Sequence, residues 1–288
     1  DASDASGDAT REGKSAVIFG FFAASPRELG FIEKQYARNG FTDVVVVPSV
    51  ISRVARPSGW YKVFRDNAKL GRAHPTLARH FDVAHCMSGG FLNLYLTRGA
   101  GVPLSCDTLL LDSTPILPKP AAFTTFARQF VRDAGLGPLV SLFPRLLHLT
   151  LVRLRWAVTA VRLRAQHRVA RWTGREGANP YRDIVTSWLR MSSAAAMSGG
   201  TVRSYDTISE HCERVLFGRA PAAPAPRRAI FLHNPSDPYL SNPDVLATVE
   251  HARNLGLETH VKEVSTSHVQ TIFRTPALVF DDCLATDA

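Results

Sequence analysis

The sequence has few cysteines and no long apolar segment. Its four cysteines are widely separated and form no C-x-x-C pair, which argues against a zinc module or a disulfide framework and indicates a reducing compartment. The most apolar stretch, residues 139–163, is interrupted by four arginines, so we do not expect a membrane-spanning helix. Internal repeats and a glycine-rich phosphate loop are also missing, and we expect neither a bound metal nor another cofactor.

The bulk composition is that of a globular protein. Hydrophobic residues make up 45% and charged residues 20% of the 288 positions, which is enough to bury a substantial core. The length suits a single α/β domain. The chain begins at Asp1 rather than at a methionine and shows no apolar signal segment, which is compatible with a removed leader or with a truncated chain.

Positive charge is concentrated in one part of the chain. The net charge is +9, but residues 119–228 hold 18 Lys or Arg against 6 Asp or Glu, whereas the remainder holds 16 against 19. Nearly all of the excess is arginine, which suits bidentate contacts to phosphate or carboxylate groups. Two interpretations remain open: a solvated helical face, or a surface for an anionic partner such as an anionic membrane surface or an acidic protein subunit.

Short apolar runs alternate with helical patterns along most of the sequence. This alternation predicts a mostly parallel sheet flanked by helices. The predicted strands are residues 15–20, 43–47, 81–87, 108–111, 229–233 and 258–264. The predicted helices are residues 26–39, 60–80, 89–97, 243–255 and 275–283. The run of β-branched residues at 43–47 is typical of a strand that is buried on both faces.

A helical, basic segment with a proline-rich end interrupts this alternation. We therefore expect a flexible tail at residues 1–14, a sheet-containing core at 15–118 and 228–288, and a helical basic cap or insert at 119–227.

Ser88 lies directly after a predicted strand, with Gly90 two positions later and a predicted helix following. A nucleophile elbow needs this arrangement, because its serine occupies a tight strand-to-helix turn where large neighbours would clash. Cys86 stands at the first small position of the G-x-S-x-G pattern and is small enough to fit there. An ordinary strand-to-helix turn is the alternative interpretation.

Two further polar residues follow the last two predicted strands. Asp237 lies on a proline-containing turn after one strand, and His268 follows the next. Ser, Asp and His in this order, each past the end of a successive strand, is the arrangement of the α/β-hydrolases. His268 would accept the proton of Ser88, and Asp237 would orient the imidazole. A helix-capping aspartate and a loop histidine are the alternatives, and Asp112 is a rival for the acid.

Stabilising a tetrahedral intermediate requires backbone N–H groups that face the developing oxyanion. The first donor would be Gly89, directly after the candidate nucleophile. The second would come from the loop after the first strand, where Phe21 and Phe22 are the candidates.

Arginines alternate with Leu and Val in the middle of the predicted insert, as in an amphipathic helix with a basic face. Such a helix could lie on a membrane surface or cover the active site. The candidate anion- or lipid-facing residues are Arg145, Arg153, Arg155, Arg162 and Arg164.

Several motifs together resemble the transmembrane protein 53-like family. The segment 85–90, with Tyr95 after it, resembles that family's H-x-F-S-N-G-G elbow. Residues 20–24 resemble its opening G-W-x-G-A, residues 112–115 its D-S-x-P segment, and residues 267–269 its S-P-H-V motif. Gly89, Phe91 and Phe21 stand where the family has asparagine, glycine and tryptophan. The resemblance covers residues 15–118 and 228–285 and implies an α/β-hydrolase fold with a Ser–Asp–His site and poorly defined substrates.

These patterns favour a serine hydrolase that acts on a small-molecule or lipid-like ester or thioester. The alternative is a catalytically idle hydrolase-fold subunit that serves as a docking component of a larger assembly, which could be associated with a mitochondrial membrane. Nucleic acid is not an expected partner, because the basic insert contains no recognisable reading module. The arginine bias and unpaired cysteines favour a mitochondrial or other organellar location, with a cytosolic or membrane-peripheral one as the alternative.

Overall fold

The computed structural model describes residues 13–22, 24–49, 75–99, 102–114, 213–218 and 223–285, together with residues 129, 132, 133, 165, 172 and 173. The strands in this part of the chain are β1 (Lys14–Phe22), β2 (Phe41–Ser49), β3 (His80–Met87), β4 (Ser105–Asp112), β5 (Arg228–His233) and β6 (Glu258–Glu263). The α-helices are α1 (Pro26–Arg38), α2 (Gly90–Gly99), α3 (Asn242–Asn254) and α4 (Thr271–Arg274). A 3-10 turn spans Pro75–Leu77, and a π-helix spans Leu278–Cys283.

The six strands form one sheet in the order β2-β1-β3-β4-β5-β6, and every neighbouring pair is parallel. Parallel neighbours need crossover connections, which place helices over the faces of the sheet. The three strands β3, β4 and β5 are buried along nearly their whole length. The predicted parallel sheet flanked by helices is therefore confirmed.

Helix α1 shows how local sequence sets the ends of an element. Ser25 caps its N-terminus by accepting a hydrogen bond from the Glu28 amide at 3.2 Å, and the Glu28 carboxylate accepts one from the Ser25 amide at 2.8 Å. This reciprocal pair satisfies two N–H groups that would otherwise have no partner. Leu29, Ile32 and Tyr36 recur at helical spacing and are buried, so one face of α1 packs on the sheet.

Two apolar clusters lie on opposite faces of the sheet, because successive strand residues point in opposite directions. Leu109 and Leu111 belong to the cluster that also contains residues of α2 and α3. Leu110 belongs to the other cluster, which includes residues of α1 and of the C-terminal segment. In the described residues the sheet is thus the middle layer of three.

The sequence predictions differ from the structure at three elements. Val44–Val46 are half-buried rather than buried on both faces, because β2 is at one end of the sheet order and pairs with β1 alone among the described strands. Of the predicted helix 60–80, residues 60–74 lie outside the described residues, residues 75–77 form a 3-10 turn, and β3 already begins at His80. The final helix expected at 275–283 is helical from residue 276, but Leu278–Cys283 adopt the wider π form, and the short α4 precedes it.

The C-terminal end of the predicted insert packs on the sheet. Residues 213–217 are helical, and the Phe217 ring lies 6.0 Å from that of Phe231 on β5. Arg98 of α2 is fully buried and donates hydrogen bonds to the carbonyls of Val215, Gly218 and Pro224 at 2.8–3.0 Å.

The described part of the chain contains no helix with the length and hydropathy needed to cross a bilayer. Most of the insert, and residues 1–12 of the predicted tail, lie outside the described residues.

Candidate active site

Ser88 occupies a strained turn between β3 and α2. Its φ of 48° lies in the left-handed region, which non-glycine residues adopt rarely and which recurs at functional sites. The Ser88 amide donates a hydrogen bond to the Asp112 carbonyl at 2.9 Å, which holds the turn against the end of β4. A Cβ atom at Gly90 would lie 2.2 Å from the Phe19 carbonyl oxygen. The S-x-G pattern therefore exists because the turn passes directly over β1.

His268 lies in the loop between β6 and α4, and its imidazole reaches Ser88. Its Nε2 atom is 2.8 Å from the Ser88 hydroxyl oxygen, a hydrogen-bond distance. Ser88 is buried, and the imidazole of His268 remains 13% exposed. The pair is thus shielded by protein but still open to a small reactant.

Asp237 completes a chain of hydrogen bonds. Its Oδ2 atom lies 2.7 Å from Nδ1 of His268, and its side chain is 1% exposed. Its other oxygen accepts a hydrogen bond from the Tyr239 amide at 2.8 Å. This geometry suits the His268 tautomer that donates from Nδ1 to the Asp237 carboxylate and presents Nε2 to the Ser88 hydroxyl as the acceptor. All three predicted residues therefore meet at one edge of the sheet.

Asn234 joins the two loops that carry Asp237 and His268. Its side-chain amide donates to the Thr266 carbonyl at 2.9 Å, and its side-chain oxygen accepts from the Ser236 amide at 2.8 Å. Sequence reasoning missed this residue, although Asn directly before Pro is a known turn signal. The bridge fixes the separation of the carboxylate and the imidazole.

Tyr239 covers the imidazole. The Tyr239 and His268 ring centroids lie 4.6 Å apart, with the planes tilted by 34°. The Tyr239 hydroxyl donates a hydrogen bond to the carboxylate of Asp133, a residue of the predicted insert. Burial, together with this carboxylate, raises the pKa of the Tyr239 phenol. Tyr239 was not a predicted site residue, and no local sequence pattern marks it.

Asp112 lies at the end of β4 but does not take part in the chain. It is fully buried, and its Oδ1 atom accepts hydrogen bonds from the hydroxyls of Ser113 at 3.1 Å and Thr271 at 3.4 Å. Burial raises the pKa of its carboxyl to about 6. In the described residues, Nδ1 of His268 is hydrogen-bonded to Asp237 and not to Asp112. The geometry places the rival acid beside the site rather than in it.

Two further residues share the left-handed backbone conformation of Ser88. Ser113 has a φ of 55° and Val269, directly after His268, has a φ of 53°. The Val269 amide donates a hydrogen bond to the Ser113 hydroxyl at 2.9 Å. Neither residue was singled out by itself from the sequence, since serine and valine give no signal for a positive φ. The only available pointer to Ser113 is its place in the motif-like segment 112–115.

Cys86, two residues before Ser88, is enclosed in the core. It is fully buried on β3, and burial raises the pKa of its thiol. A thiol that stays protonated is a poor nucleophile. Cys86 is therefore a small core residue at the first position of the elbow.

The candidate oxyanion donors lie at the same sheet edge. Gly89 follows Ser88 in the turn. Phe21 and Phe22 are the last two residues of β1, two and three positions after Phe19, which pairs with Cys86 of β3. Their N–H groups therefore belong to the Ser88 turn and to β1, the strand that pairs with β3. The candidate anion-facing residues Arg145, Arg153, Arg155, Arg162 and Arg164 lie outside the described residues. Within the described residues, no group of three His, Cys, Asp or Glu side chains could hold a metal ion.

Comparison with known proteins identifies distant structural likenesses only. No protein-family model and no curated protein matches the sequence. Solved structures that align with the chain include esterase 2 of Thermogutta terrifontis (11% identity, TM-score 0.41, covering 95% of this chain and 81% of that one) and a carboxyl esterase of Bacillus coagulans (14%, 0.44, 96% and 90%). A bromoperoxidase of Bacillus anthracis aligns at 12% identity and a TM-score of 0.41, over 94% of this chain and 92% of that one.

The fold is of the α/β-hydrolase type. Likenesses this distant carry no argument, so the assignment rests on the parallel sheet and on the strand ends that are followed by Ser88, Asp237 and His268. The resemblance to the transmembrane protein 53-like family stays a prediction, since no family model matches.

Proposed function

We propose that this protein is a serine hydrolase that cleaves a carboxylic ester or thioester with Ser88 as its nucleophile. The observation that carries the proposal is the hydrogen-bonded chain from Asp237 through His268 to Ser88, with distances of 2.7 and 2.8 Å. Nucleophile, base and orienting carboxylate within hydrogen-bond reach are what covalent catalysis requires. The strained backbone of Ser88 supports the same role, since it places the hydroxyl at the tip of the elbow.

In the acylation step, the Ser88 oxygen attacks the carbonyl carbon of the substrate while its proton passes to Nε2 of His268. The resulting imidazolium is stabilised by Asp237. As the tetrahedral intermediate collapses, the bond to the alcohol or thiol breaks, and that leaving group takes the proton from His268. An acyl group then remains on Ser88.

Deacylation repeats these steps with water as the nucleophile. Water gives a proton to His268 and attacks the acyl carbon, and Ser88 recovers the proton as the carboxylic acid leaves. In both steps the oxyanion would be held by the backbone amides of Gly89 and of Phe21 or Phe22.

We also propose that the insert at 119–227 forms a cap over this site. The supporting contact is the hydrogen bond from Tyr239 to Asp133, because the same Tyr239 ring lies against His268. Tyr239→Phe removes this hydrogen bond and keeps the ring. We therefore expect it to change KM for ester substrates more than kcat, and an equal effect on both would argue against a cap.

The test of the hydrolase proposal is labelling with a fluorophosphonate probe, which reacts with activated serines. Wild type should be labelled, and Ser88→Ala and His268→Ala should not. Ser236→Ala is a matched control, since this serine is exposed on the loop beside Asp237 and should leave labelling intact. Labelling that persists in Ser88→Ala would overturn the proposal. The substrate class then follows from comparing p-nitrophenyl esters of increasing acyl length with a thioester.

The competing proposal is a catalytically idle, hydrolase-fold subunit that docks through its basic insert, for example onto an anionic membrane surface or an acidic subunit in an organelle such as the mitochondrion. The observation that favours it is the concentration of charge in residues 119–228, with 18 basic against 6 acidic residues. Folded, unlabelled wild-type protein would support this second function.

A further inference from the structure

The last residue of β4 and the residue after it are hydrogen-bonded to the Ser88 turn, to strand β5 and to the loop that carries His268. The carbonyl of Asp112 accepts from the Ser88 amide at 2.9 Å. The Ser113 amide donates to the carbonyl of Leu232, near the end of the strand that precedes Asp237, at 3.1 Å. The Ser113 hydroxyl accepts from the amide of Val269, next to His268, at 2.9 Å. One dipeptide therefore links the turn of the nucleophile to the loop of the base, and is itself anchored to β5.

The link to the His268 loop constrains a backbone that would otherwise relax. Val269 is β-branched and has a φ of 53°, a conformation that is strained for such a residue. Strain of this kind persists only when the surrounding structure holds it. Because Val269 adjoins His268, a change in its backbone would rotate the imidazole away from Ser88.

The Ser113 side chain is chemically suited to this task. It donates its own proton to Asp112 Oδ1 at 3.1 Å, which leaves the lone pairs of its oxygen for the Val269 amide. Ser113 is buried, so water cannot easily replace the hydroxyl as an acceptor. Ser113 itself has a φ of 55°, which aims the hydroxyl from the end of β4 toward the His268 loop.

We propose that Ser113 is a positioning residue of the hydrolase site, which sets the His268 imidazole against Ser88 by accepting the Val269 amide hydrogen bond. This inference rests on the proposed function. Ser113 acts through the loop of His268, by way of its hydrogen bond to the Val269 amide.

Three substitutions separate positioning from plain structural support. Ser113→Gly removes the hydroxyl but relieves the backbone strain, because glycine adopts a positive φ freely. Ser113→Thr keeps the hydroxyl but adds a β-branch at that same φ, so it should lower the thermal midpoint more than the glycine variant does. Ser113→Ala removes the hydroxyl and keeps the strain. The readouts are the thermal midpoint and the rate constant of fluorophosphonate labelling, with kcat and KM for a p-nitrophenyl ester.

Ser113→Gly should therefore have the higher thermal midpoint of the two, and Ser113→Thr the faster labelling. We expect Ser113→Gly and Ser113→Ala to label about tenfold or more slowly than wild type, with the loss in kcat rather than KM, because a small misplacement of a catalytic group is costly. Ser113→Thr should label within about threefold of wild type despite its lower thermal midpoint. Labelling that follows the thermal midpoint across the three variants, or Ser113→Gly at the wild-type rate, overturns the inference while the proposed function stands. Unlabelled wild type overturns both.

Discussion

Asp237 Oδ2 and His268 Nδ1 lie 2.7 Å apart, although the two residues are 31 positions apart in the chain. The sheet explains this proximity. β5 and β6 are parallel neighbours that end level, with His233 opposite Glu263, so the loops that follow them leave the sheet side by side. The Asn234 bridge to Thr266 then fixes the distance between the loops.

Asp237→Asn should lower kcat for a p-nitrophenyl ester by roughly 10³- to 10⁴-fold. The amide is uncharged, so it cannot stabilise an imidazolium, and it can donate a hydrogen bond to Nδ1, which favours the wrong imidazole tautomer. The measurement is steady-state kinetics on the purified variant, with circular dichroism to show that it is folded.

Asp107→Asn is the matched control for this variant. Asp107 lies near the start of β4, at the opposite end of the strand from the site, where it contacts His80 on the surface. The kcat of Asp107→Asn should equal that of wild type. Near wild-type activity in Asp237→Asn would mean that another carboxylate orients His268, and Asp112 would be the first residue to examine.

Gly90→Ala should destabilise the fold by about 1–3 kcal/mol or more, because its new methyl group overlaps backbone atoms that cannot move aside. A Cβ at this position would lie 2.2 Å from the Phe19 carbonyl oxygen. Gly30→Ala in α1 is the control, since a Cβ there meets no atom within 4 Å. It should stabilise the protein by about 0.5–1 kcal/mol, the usual helix preference for Ala over Gly. If Gly90→Ala and Gly30→Ala changed the free energy of unfolding in urea equally, the close approach of the elbow to β1 would be contradicted.

Asp112 should make stability depend on pH. Burial raises the pKa of its carboxyl from 3.8 to about 6, so the folded protein holds this proton more tightly than the unfolded chain does. Stability therefore falls as the pH rises from about 4 to about 6 and stays lower above that range. Asp112→Asn cannot ionise, so its unfolding free energy relative to wild type should increase by on the order of 3 kcal/mol between pH 4 and pH 7. If the difference in unfolding free energy between Asp112→Asn and wild type did not change with pH, this account would be contradicted.

The strands were predictable because a parallel sheet buries its strands on both faces. The apolar runs at 81–87 and 229–233 correspond to β3 and β5 with one further residue at each start. The run at 43–47 is equally apolar but belongs to an end strand, since pairing partners are set by topology and not by local composition. The final predicted helix is present from residue 276, but its π form over Leu278–Cys283 leaves no mark in the local sequence pattern.

The candidate site was partly predictable. The positions of Ser88, Asp237 and His268 follow from strand ends, which local patterns reveal. The residues that hold them in place do not, because Asn234, Ser113 and Tyr239 act through contacts between segments far apart in the chain. Nothing local distinguishes a serine with a positive φ from one in an ordinary loop.

The most direct test of the central claim is to trap the acyl-enzyme. The protein is mixed with a p-nitrophenyl ester, quenched in acid during turnover, digested, and mapped by mass spectrometry. We predict one acyl group per chain, attached to the peptide that contains Ser88 and absent in Ser88→Ala. An acyl group on a different residue, or ester turnover with no acylated peptide, would contradict the account.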